Sequence, residues 1–270
     1  MRGRIFSVVG AMFQLTVCGK SNQNNVQAAP PAANPTPAPA DQPAASPTSS
    51  AAGGTITGKI KFTGTAPKNP TIDMSDEAVC KSKYKTTPTE ENVVAGPANA
   101  LANVFVYVKS GVPAGYSAPP PPPAAGAGPV IDQDGCRYHP HVFGMRVGQT
   151  LQIKNSDGIL HNIKAMGKAN RPFNVSEPTT MTMAAPRPFS APEVMVKLEC
   201  NVHGWMTAYV GVRPDPFYAV STPDGSFTIT GLPPGTYTIE AWHEKFGTQT
   251  ATVTVAGTES KTQNFTFAAH

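Results

Sequence analysis

The chain contains few of the features that mark the common classes of enzyme. No Gly-rich phosphate-binding loop, no nucleophile elbow and no paired-carboxylate arrangement stands out among its 270 residues, so the sequence offers no residues to carry a catalytic reaction. Charged residues make up only 14%, and the basic ones are scattered rather than clustered, which argues against a nucleic-acid partner. We therefore expect a protein that is not an enzyme.

Cysteine is also scarce, and none of the four cysteines forms the closely spaced pairs that structural zinc sites use. Cys18 ends an apolar run, residues 5–17, that follows Arg2 and Arg4. This is the layout of a secretory signal, and the run is too short to span a membrane as a helix. Residues 1–18 are thus expected to direct export to the periplasm or the outer surface of a bacterium.

The end of this signal resembles a bacterial lipobox, whose cysteine is acylated after cleavage. The matching residues are Leu15-Thr-Val-Cys18-Gly, with Val17 as a departure from the small residue usual there. Cys18 is accordingly a candidate lipidation site, and we expect membrane contact only through this anchor. In the alternative, the signal is simply removed and the protein is soluble in the periplasm.

Residues 19–54 have the composition of a disordered linker. They consist mainly of Ala, Pro, Ser, Asn and Gln and show no apolar periodicity, so they cannot bury a core. Pro-rich chain extends at roughly 3 Å per residue. The linker can therefore hold the folded part well away from a membrane surface.

The remaining part of the chain reads as an all-β protein. Apolar and polar residues alternate in many short segments, which is the pattern of half-buried strands. Turn signals such as Pro223-Asp-Gly225 separate the later segments, and the helical signal is minimal. The segments with strand character outside the central part are 54–64, 103–109, 217–220, 226–231, 235–242, 250–255 and 262–267.

The most informative motif is a Cys-x-x-His-x-x-Met run formed by Cys200, His203 and Met206. In the preceding segment, 193–200, side chains on alternate positions share one face, so Cys200 is expected to point into the core together with Val194, Val196 and Leu198. Gly204 is expected to permit a sharp turn between the donors. One thiolate, one imidazole and one thioether are the soft donors that copper prefers.

A second imidazole is available upstream. His161 follows two predicted strands in residues 142–155, joined by a turn at Gly148, and the polar turn residues that end with Asp157. A trigonal site with two His and one Cys, with a weak axial Met, is an electron-transfer copper site. Such a site would exist only when these two distant segments pack together.

At these residues the chain resembles the cupredoxins, the blue (type 1) copper proteins, with a plastocyanin-like ligand loop. The resemblance spans residues 129–213 and implies a Greek-key β-sandwich. It implies one copper, with His161, Cys200 and His203 as equatorial ligands and Met206 as the axial ligand. It also implies that Asn162 ties the two ligand segments together. No clear first strand precedes Cys136, so a sheet partner from outside this range is expected.

The same resemblance implies single-electron transfer by copper cycling between Cu(I) and Cu(II), with redox proteins as donor and acceptor. In cupredoxins the second imidazole of the ligand loop reaches the surface among apolar residues. Trp205, beside His203, is therefore a candidate for the docking surface, although a core position between the sheets is an equal alternative. We expect a monomer.

The remaining cysteines, Cys80 and Cys136, are a candidate disulfide once Cys18 is assigned to the signal and Cys200 to the metal. An unpaired thiol in an oxidising compartment is a liability unless a metal protects it. Cys200 has two other interpretations, an inert buried thiol or half of a disulfide.

Residues 214–270 resemble the carboxypeptidase regulatory-like, or transthyretin-like, β-sandwich. The resemblance rests on Thr222-Pro-Asp-Gly-Ser-Phe-Thr-Ile-Thr-Gly-Leu-Pro-Pro-Gly-Thr-Tyr237, and it implies that residues 55–112 supply the first strands of the same sandwich. The copper segment would then be inserted into it after a Pro-rich linker, 113–128. In the alternative, a tandem arrangement, residues 55–110 donate strands to the copper domain.

Two other functions stay open from the sequence. One is a periplasmic copper carrier or chaperone that releases its ion, and the other is a carbohydrate-binding or adhesion sandwich without metal. His243, next to Glu244, is a weak candidate for a second metal site or a catalytic pair. His139 and His141 are weak candidates for a labile surface metal contact.

Overall fold

The computed structural model describes residues 53–120 and 128–268. The predicted signal with Cys18 and nearly all of the predicted linker lie outside these residues. The described part contains seventeen strands, one five-residue helix and one 3-10 turn, so the predicted all-β class is confirmed. No helix in the described ranges has the length and apolar character needed to cross a membrane.

The helical elements are α1, Ala78–Ser82, and the 3-10 turn, Pro97–Asn99. The strands are β1 Gly54–Thr63, β2 Phe105–Ser110, β3 Val130–Gln133, β4 Tyr138–His139, β5 Val142–Arg146, β6 Gln152–Asn155, β7 His161–Met166, β8 Phe173–Glu177, β9 Met181–Ala184, β10 Glu193–Glu199, β11 Thr207–Arg213, β12 Tyr218–Val220, β13 Ser226–Leu232, β14 Gly235–His243, β15 Gly247–Val255, β16 Ser260–Thr262 and β17 Phe265–Ala268.

The strands form four sheets in two sandwiches. In the first, β13, β1 and β16 lie side by side with β17 also on β1, opposite a sheet in the order β12-β2-β14-β15. We call this the split sandwich because β1 and β2 come from before residue 113 and the other strands from after residue 213. In the second, β5-β11-β10-β7-β8 and β4-β3-β6-β9 form the two sheets. We call this the inserted sandwich.

The split sandwich follows from simple alternation. Along β1 buried residues alternate with more exposed ones, so Ile56, Ile60 and Phe62 enter the core on one face. β14 supplies the opposing layer through Tyr237 and Ile239. Because β1 pairs with β13, β16 and β17, the two ends of the described chain meet in one sheet.

β2 differs because both of its faces are buried. Val106 and Val108 face the split sandwich core, whereas Phe105 and Tyr107 form a second cluster with Val142 of the inserted sandwich. Arg213 of β11 strengthens this contact, since its guanidinium donates to the Val108 carbonyl at 2.6 Å and lies 4.5 Å from the Tyr107 ring centroid. The aromatic face of β2 therefore joins the two sandwiches.

Two paired glycines make room for these rings. Gly144 of β5 lies opposite Gly211 of β11 in the ladder. A Cβ atom at Gly211 would be 2.3 Å from Phe105 Cζ, and one at Gly144 would be 2.3 Å from Tyr218 Cε2. The aromatic rings of the split sandwich thus rest directly on the backbone of the inserted one.

A segment of the β1–β2 connection crosses to the inserted sandwich. Residues 72–84, which we call the strap, contain α1, and Ile72, Met74 and Cys80 are buried in the core of the inserted sandwich. A disulfide joins Cys80 to Cys136. The predicted segment 55–112 is therefore not wholly part of the split sandwich, because apolar residues of the strap are buried in the core of the inserted sandwich.

The expectation that no first strand precedes Cys136 is wrong. β3 lies just before it and pairs in parallel with β6 over four residues. The strand was not evident because only Val130 and Ile131 are apolar, and the buried position at its end is the polar Gln133. The sheet partner comes from within the inserted sandwich.

We expect Gly211→Ala to lower the free energy of unfolding by about 1–3 kcal/mol, the usual cost of overpacking a filled contact. Gly204→Ala is the matched control, because a Cβ there meets no atom within 4 Å. Urea unfolding followed by tryptophan fluorescence measures both variants. Equal stability of the two would contradict the proposed role of the glycine pair in sandwich contact.

Candidate metal centre

Cys200 lies at the end of β10 and points into the core. Val196, Leu198 and Cys200 are buried in the same cluster, as alternation predicts. Val194 does not share this core face as predicted, since it is half-buried and packs with Met195 on the cluster that joins the sandwiches. The physical reason is a register shift between β10 and β11 at Glu193 to Val196, which rotates the start of the strand.

The ligand loop is closed by its own backbone. The Cys200 amide donates to the Met206 carbonyl at 3.2 Å, and the Met206 amide donates to the His203 carbonyl at 2.9 Å. The His203 amide points at Cys200 Sγ at 3.4 Å. Gly204 has no positive φ, so the loop does not need a glycine there, contrary to expectation. Met206 is 1% exposed.

His161 is brought to this loop by β7. His161 Nδ1 lies 2.9 Å from His203 Nδ1, and Cys200 Sγ lies 3.9 Å from the same His203 atom. One donor atom from each of the three residues lies within 4.8 Å of the other two. The structure thus gathers a thiol and two imidazoles from segments about forty residues apart into one buried cluster.

Asn162 connects the two segments. Its Oδ1 accepts a hydrogen bond from the Asn201 amide at 2.7 Å and lies 3.4 Å from Cys200 Sγ. Its Nδ2 donates to Asn174 Oδ1 at 2.7 Å, which fixes the orientation of the amide. Removal of this side chain would leave the Asn201 amide without its partner.

The surroundings favour the thiolate form of Cys200. Burial raises the pKa of this thiol, but hydrogen bonds with His161 and His203 outweigh burial and lower the pKa to about 5. A thiolate is the form that binds metals. Cys200 is therefore prepared for a metal at neutral pH.

His161 lies between this thiolate and a carboxylate. Its Nε2 is 2.9 Å from Asp157 Oδ2. Burial lowers the pKa of the imidazole, but hydrogen bonds with Asp157 and Cys200 outweigh burial and raise it to about 9. His161 thus carries a proton at neutral pH, and a metal bound at this ring would have to displace it, so that metal affinity would fall with acidification.

Asp157 is a fully buried carboxylate with four partners. Besides His161, it accepts hydrogen bonds from the amides of Gly135 and Cys136 at 2.8 and 2.7 Å and is in contact with the Lys83 ammonium. Burial raises its pKa, but the hydrogen bonds from His161 and Lys83 outweigh burial and lower the pKa to about 2. Cys136 also lies near this carboxylate, but its sulfur is in the disulfide.

The strap covers the outer side of His203. The Nε2 atom of His203 lies 3.7 Å from Glu77 Oε2 and 3.9 Å from Cys80 Sγ, both on the strap, and His203 is only 3% exposed. The expectation of a surface-exposed second imidazole is therefore wrong for this structure. Sequence reasoning missed the strap because neither its apolar residues nor its charges form a pattern that indicates contact with a distant loop.

Trp205 is neither fully exposed on a docking surface nor fully buried in the core. The ring is half-buried, its centroid is 5.2 Å from that of His203, and Nε1 donates to the Cys136 carbonyl at 2.9 Å. It lines an open, mostly polar cavity of about 210 Å³ between the sandwiches, together with Arg137 and Glu244. It therefore packs on the ligand loop and also borders the surface.

The other histidine candidates are separate from this cluster. His243 is 1% exposed and stacks on Phe246 with centroids 4.7 Å apart, and burial lowers its pKa to about 4. His141 is paired with Glu244 across the two sandwiches at 2.5 Å, whereas His139 is exposed. Within residues 53–120 and 128–268, neither His243 nor the His139 and His141 pair belongs to a metal-binding cluster.

One buried pair was not indicated by the sequence. Glu177 at the end of β8 and Gln133 at the end of β3 are both 0% exposed. Gln133 Nε2 donates to Glu177 Oε2 at 3.1 Å, while Oε1 of each residue has no partner. Burial raises the pKa of Glu177 to about 7. Its β-ladder partner is His161, so this acid lies beside the cluster of Cys200 and the two histidines.

Comparison with protein families gives one match. Residues 207–268 match the carboxypeptidase regulatory-like domain family. The match begins at β11, whose seven residues belong to the inserted sandwich, and continues through the C-terminal strands of the split sandwich. No curated protein sequence matches the chain.

Cupredoxins are among the solved structures that are similar to this chain. A copper-containing nitrite reductase from Thermus scotoductus is 19% identical over 38% of this chain and 25% of its own, with a TM-score of 0.29. A purple cupredoxin from Nitrosopumilus maritimus is 22% identical over 31% and 98%, with a TM-score of 0.27. An oxidised amicyanin variant is 18% identical over 40% and 98%, with a TM-score of 0.29.

We expect Glu177→Gln to change how stability depends on pH. The folded pKa of Glu177 is about 7 and its ordinary value is 4.5, so between these values the unfolded chain loses a proton that the folded chain keeps. As the pH rises through this window, the free energy of unfolding of the wild type should therefore fall relative to that of the variant, by about 3 kcal/mol in total. Urea unfolding of metal-free protein between about pH 4 and 8 measures the difference.

The control is Glu199→Gln, which removes a half-exposed carboxylate at the end of β10. A constant difference between wild type and Glu177→Gln across the pH range would contradict the assignment of a buried, neutral acid beside His161.

Proposed function

We propose that the chain binds one copper ion through His161, Cys200, His203 and Met206 and carries single electrons. The observation that supports this proposal is the buried cluster of one thiol and two imidazoles, with donor atoms within 4.8 Å of one another. Two imidazoles and one thiolate with a weak thioether are the donor set of an electron-transfer copper site. Met206 is buried in the loop that holds Cys200, as an axial donor requires.

The donor set fits copper better than the common alternative metal. A structural zinc site uses four closed nitrogen or sulfur ligands, often paired cysteines, and Cys200 is the free cysteine within the described residues. Zinc is bound by Cys, His, Asp and Glu side chains, whereas a thioether is a good ligand for Cu(I). When bound, copper supplies a one-electron couple, and the protein's part is to hold the donors.

The residues around the site favour retention of the ion over its release. Carriers that exchange copper are expected to use several open thiols or thioethers, whereas here a single buried Cys is held by Asn162 and by the closed backbone of the loop. Both imidazoles are buried as well. A donor set that is complete and closed leaves no open position for a substrate, which supports a carrier of electrons and not an enzyme.

We further propose that the protein works outside the cytoplasm. The disulfide between Cys80 and Cys136 is the kind of bond that persists in oxidising compartments, and this supports the interpretation of residues 1–18 as an export signal. The donor and acceptor of electrons would be redox proteins in the same compartment, and Cys18 would be the site of any lipid anchor.

Copper loading of the full chain tests the metal assignment. We expect one Cu(II) per chain and an intense visible absorption from charge transfer between Cys200 and copper. Cys200→Ser should abolish this absorption, His161→Ala should distort it, and Met206→Leu should keep it and mainly raise the reduction potential, because the axial ligand tunes the potential. Optical titration, electron paramagnetic resonance and voltammetry measure these effects.

The control is Met166→Leu, since Met166 is exposed at the end of β7 and lies outside the donor set. Full copper occupancy without visible absorption would refute the electron-transfer site. A protein that folds and binds no copper would favour the sandwich without metal.

A further inference from the structure

The two imidazoles turn their Nδ1 atoms towards each other and their Nε2 atoms outward. Which ring nitrogen faces a metal is set by what the other nitrogen binds. The outer partners of His161 and His203 therefore decide whether both Nδ1 atoms are available to one ion. Both sets of outer partners involve the strap.

For His161 the outer partner is Asp157, and Lys83 of the strap contacts this carboxylate. The Asp157 side chain is 0% exposed, and a buried carboxylate is costly unless it is paired and hydrogen-bonded. Lys83 is the ammonium that pairs with it; its second contact, with Asp134 at 3.4 Å, is on the surface. Lys83 thus pairs with the carboxylate that is hydrogen-bonded to His161.

The position of Lys83 is itself fixed by its neighbours on the strap. Cys80, three residues earlier, is in the disulfide with Cys136, whose amide donates to the same Asp157 carboxylate. Tyr84, the next residue, donates its hydroxyl hydrogen bond to the Gly135 carbonyl at 2.7 Å. The ammonium is therefore anchored on both sides, and only about 29% of the Lys83 side chain is exposed.

We propose that Lys83 is a positioning residue of the metal centre: through Asp157 it keeps His161 Nε2 engaged, so that His161 Nδ1 is presented to the metal. The inference rests on the proposed role of His161 as a ligand. It also gives a reason for the second sandwich, because the strap belongs to the connection between β1 and β2. The split sandwich thereby supplies the outer support of a site in the inserted one.

The test compares Lys83→Met with Lys83→Arg and with Lys81→Met in the full chain. Lys83→Met keeps the aliphatic stem and removes the charge, whereas Lys83→Arg retains a cation for Asp157. Lys81 is exposed in α1, two residues before Lys83 on the strap, and is the matched control. Loss of an outer-shell partner of a metal-bound histidine typically lowers metal affinity 10–100-fold. We expect a loss of about that size in copper affinity for Lys83→Met. Lys83→Arg should restore the affinity partly or fully, and Lys81→Met should lose no affinity.

A second readout uses metal-free protein. The His161 Nε2–H proton, shielded by its bond to Asp157, should give a slowly exchanging ring resonance in nuclear magnetic resonance spectra. We expect this resonance to be lost or broadened in Lys83→Met and kept in Lys83→Arg. Alkylation of Cys200 by iodoacetamide should be faster in Lys83→Met, because His161 is then held less firmly against the thiol. Peptide mass spectrometry separates the alkylation of Cys200 from that of Cys18.

These readouts separate failure of the inference from failure of the proposed function. A wild type without visible copper absorption refutes the copper assignment, while the ring resonance and the alkylation rate still test Lys83. Unchanged resonance, alkylation and affinity in Lys83→Met relative to Lys81→Met overturn the role of Lys83. If Lys83→Met does not fold, Lys83→Gln, which keeps a donor for Asp157 without the charge, is compared with Lys83→Arg by the same readouts.

Discussion

The arrangement depends on one constraint: a thiol and two imidazoles are buried together and must satisfy one another. Cys200, His161 and His203 are each less than 5% exposed, and buried polar groups without partners are costly. Asn162 and Asp157 meet this need from two sides, one on the thiol and one on the imidazole. The cluster is therefore assembled by folding itself, and one possible donor atom from each of its three residues lies within 4.8 Å of the other two.

The two sandwiches are joined at two different places for two different reasons. At the first, Phe105 lies on the backbone of Gly211, and the contact is one of shape and apolar burial. At the second, the strap is joined to the surroundings of His161 by the Cys80–Cys136 disulfide and by the ion pair of Lys83 with Asp157. Burial at the first contact fixes the sandwiches to each other, and polar contacts at the second shape the surroundings of His161 and His203.

Much of this could be predicted from local patterns. The all-β class follows from alternation, and the proposed donors Cys200, His203 and Met206 share one short loop whose spacing is visible in the sequence. Val194 was mispredicted because alternation assumes an unbroken ladder, whereas the register shifts at the start of β10. β3 was missed because its buried Gln133 is polar, and a buried polar residue is satisfied by tertiary partners that no local pattern reveals.

The sequence by itself determined which residue types are available to a metal and which strands carry them, because donor chemistry and side-chain alternation are properties of short segments. Only the tertiary structure decided that His203 is covered, that Glu177 lies buried beside His161, and that Lys83 supports Asp157. These contacts join residues far apart in the chain, and they form because burial of the strap brings its charged groups to the site. The outer surroundings of the proposed donors are therefore a product of packing between the sandwiches, whereas the proposed donors themselves lie in one loop and one strand.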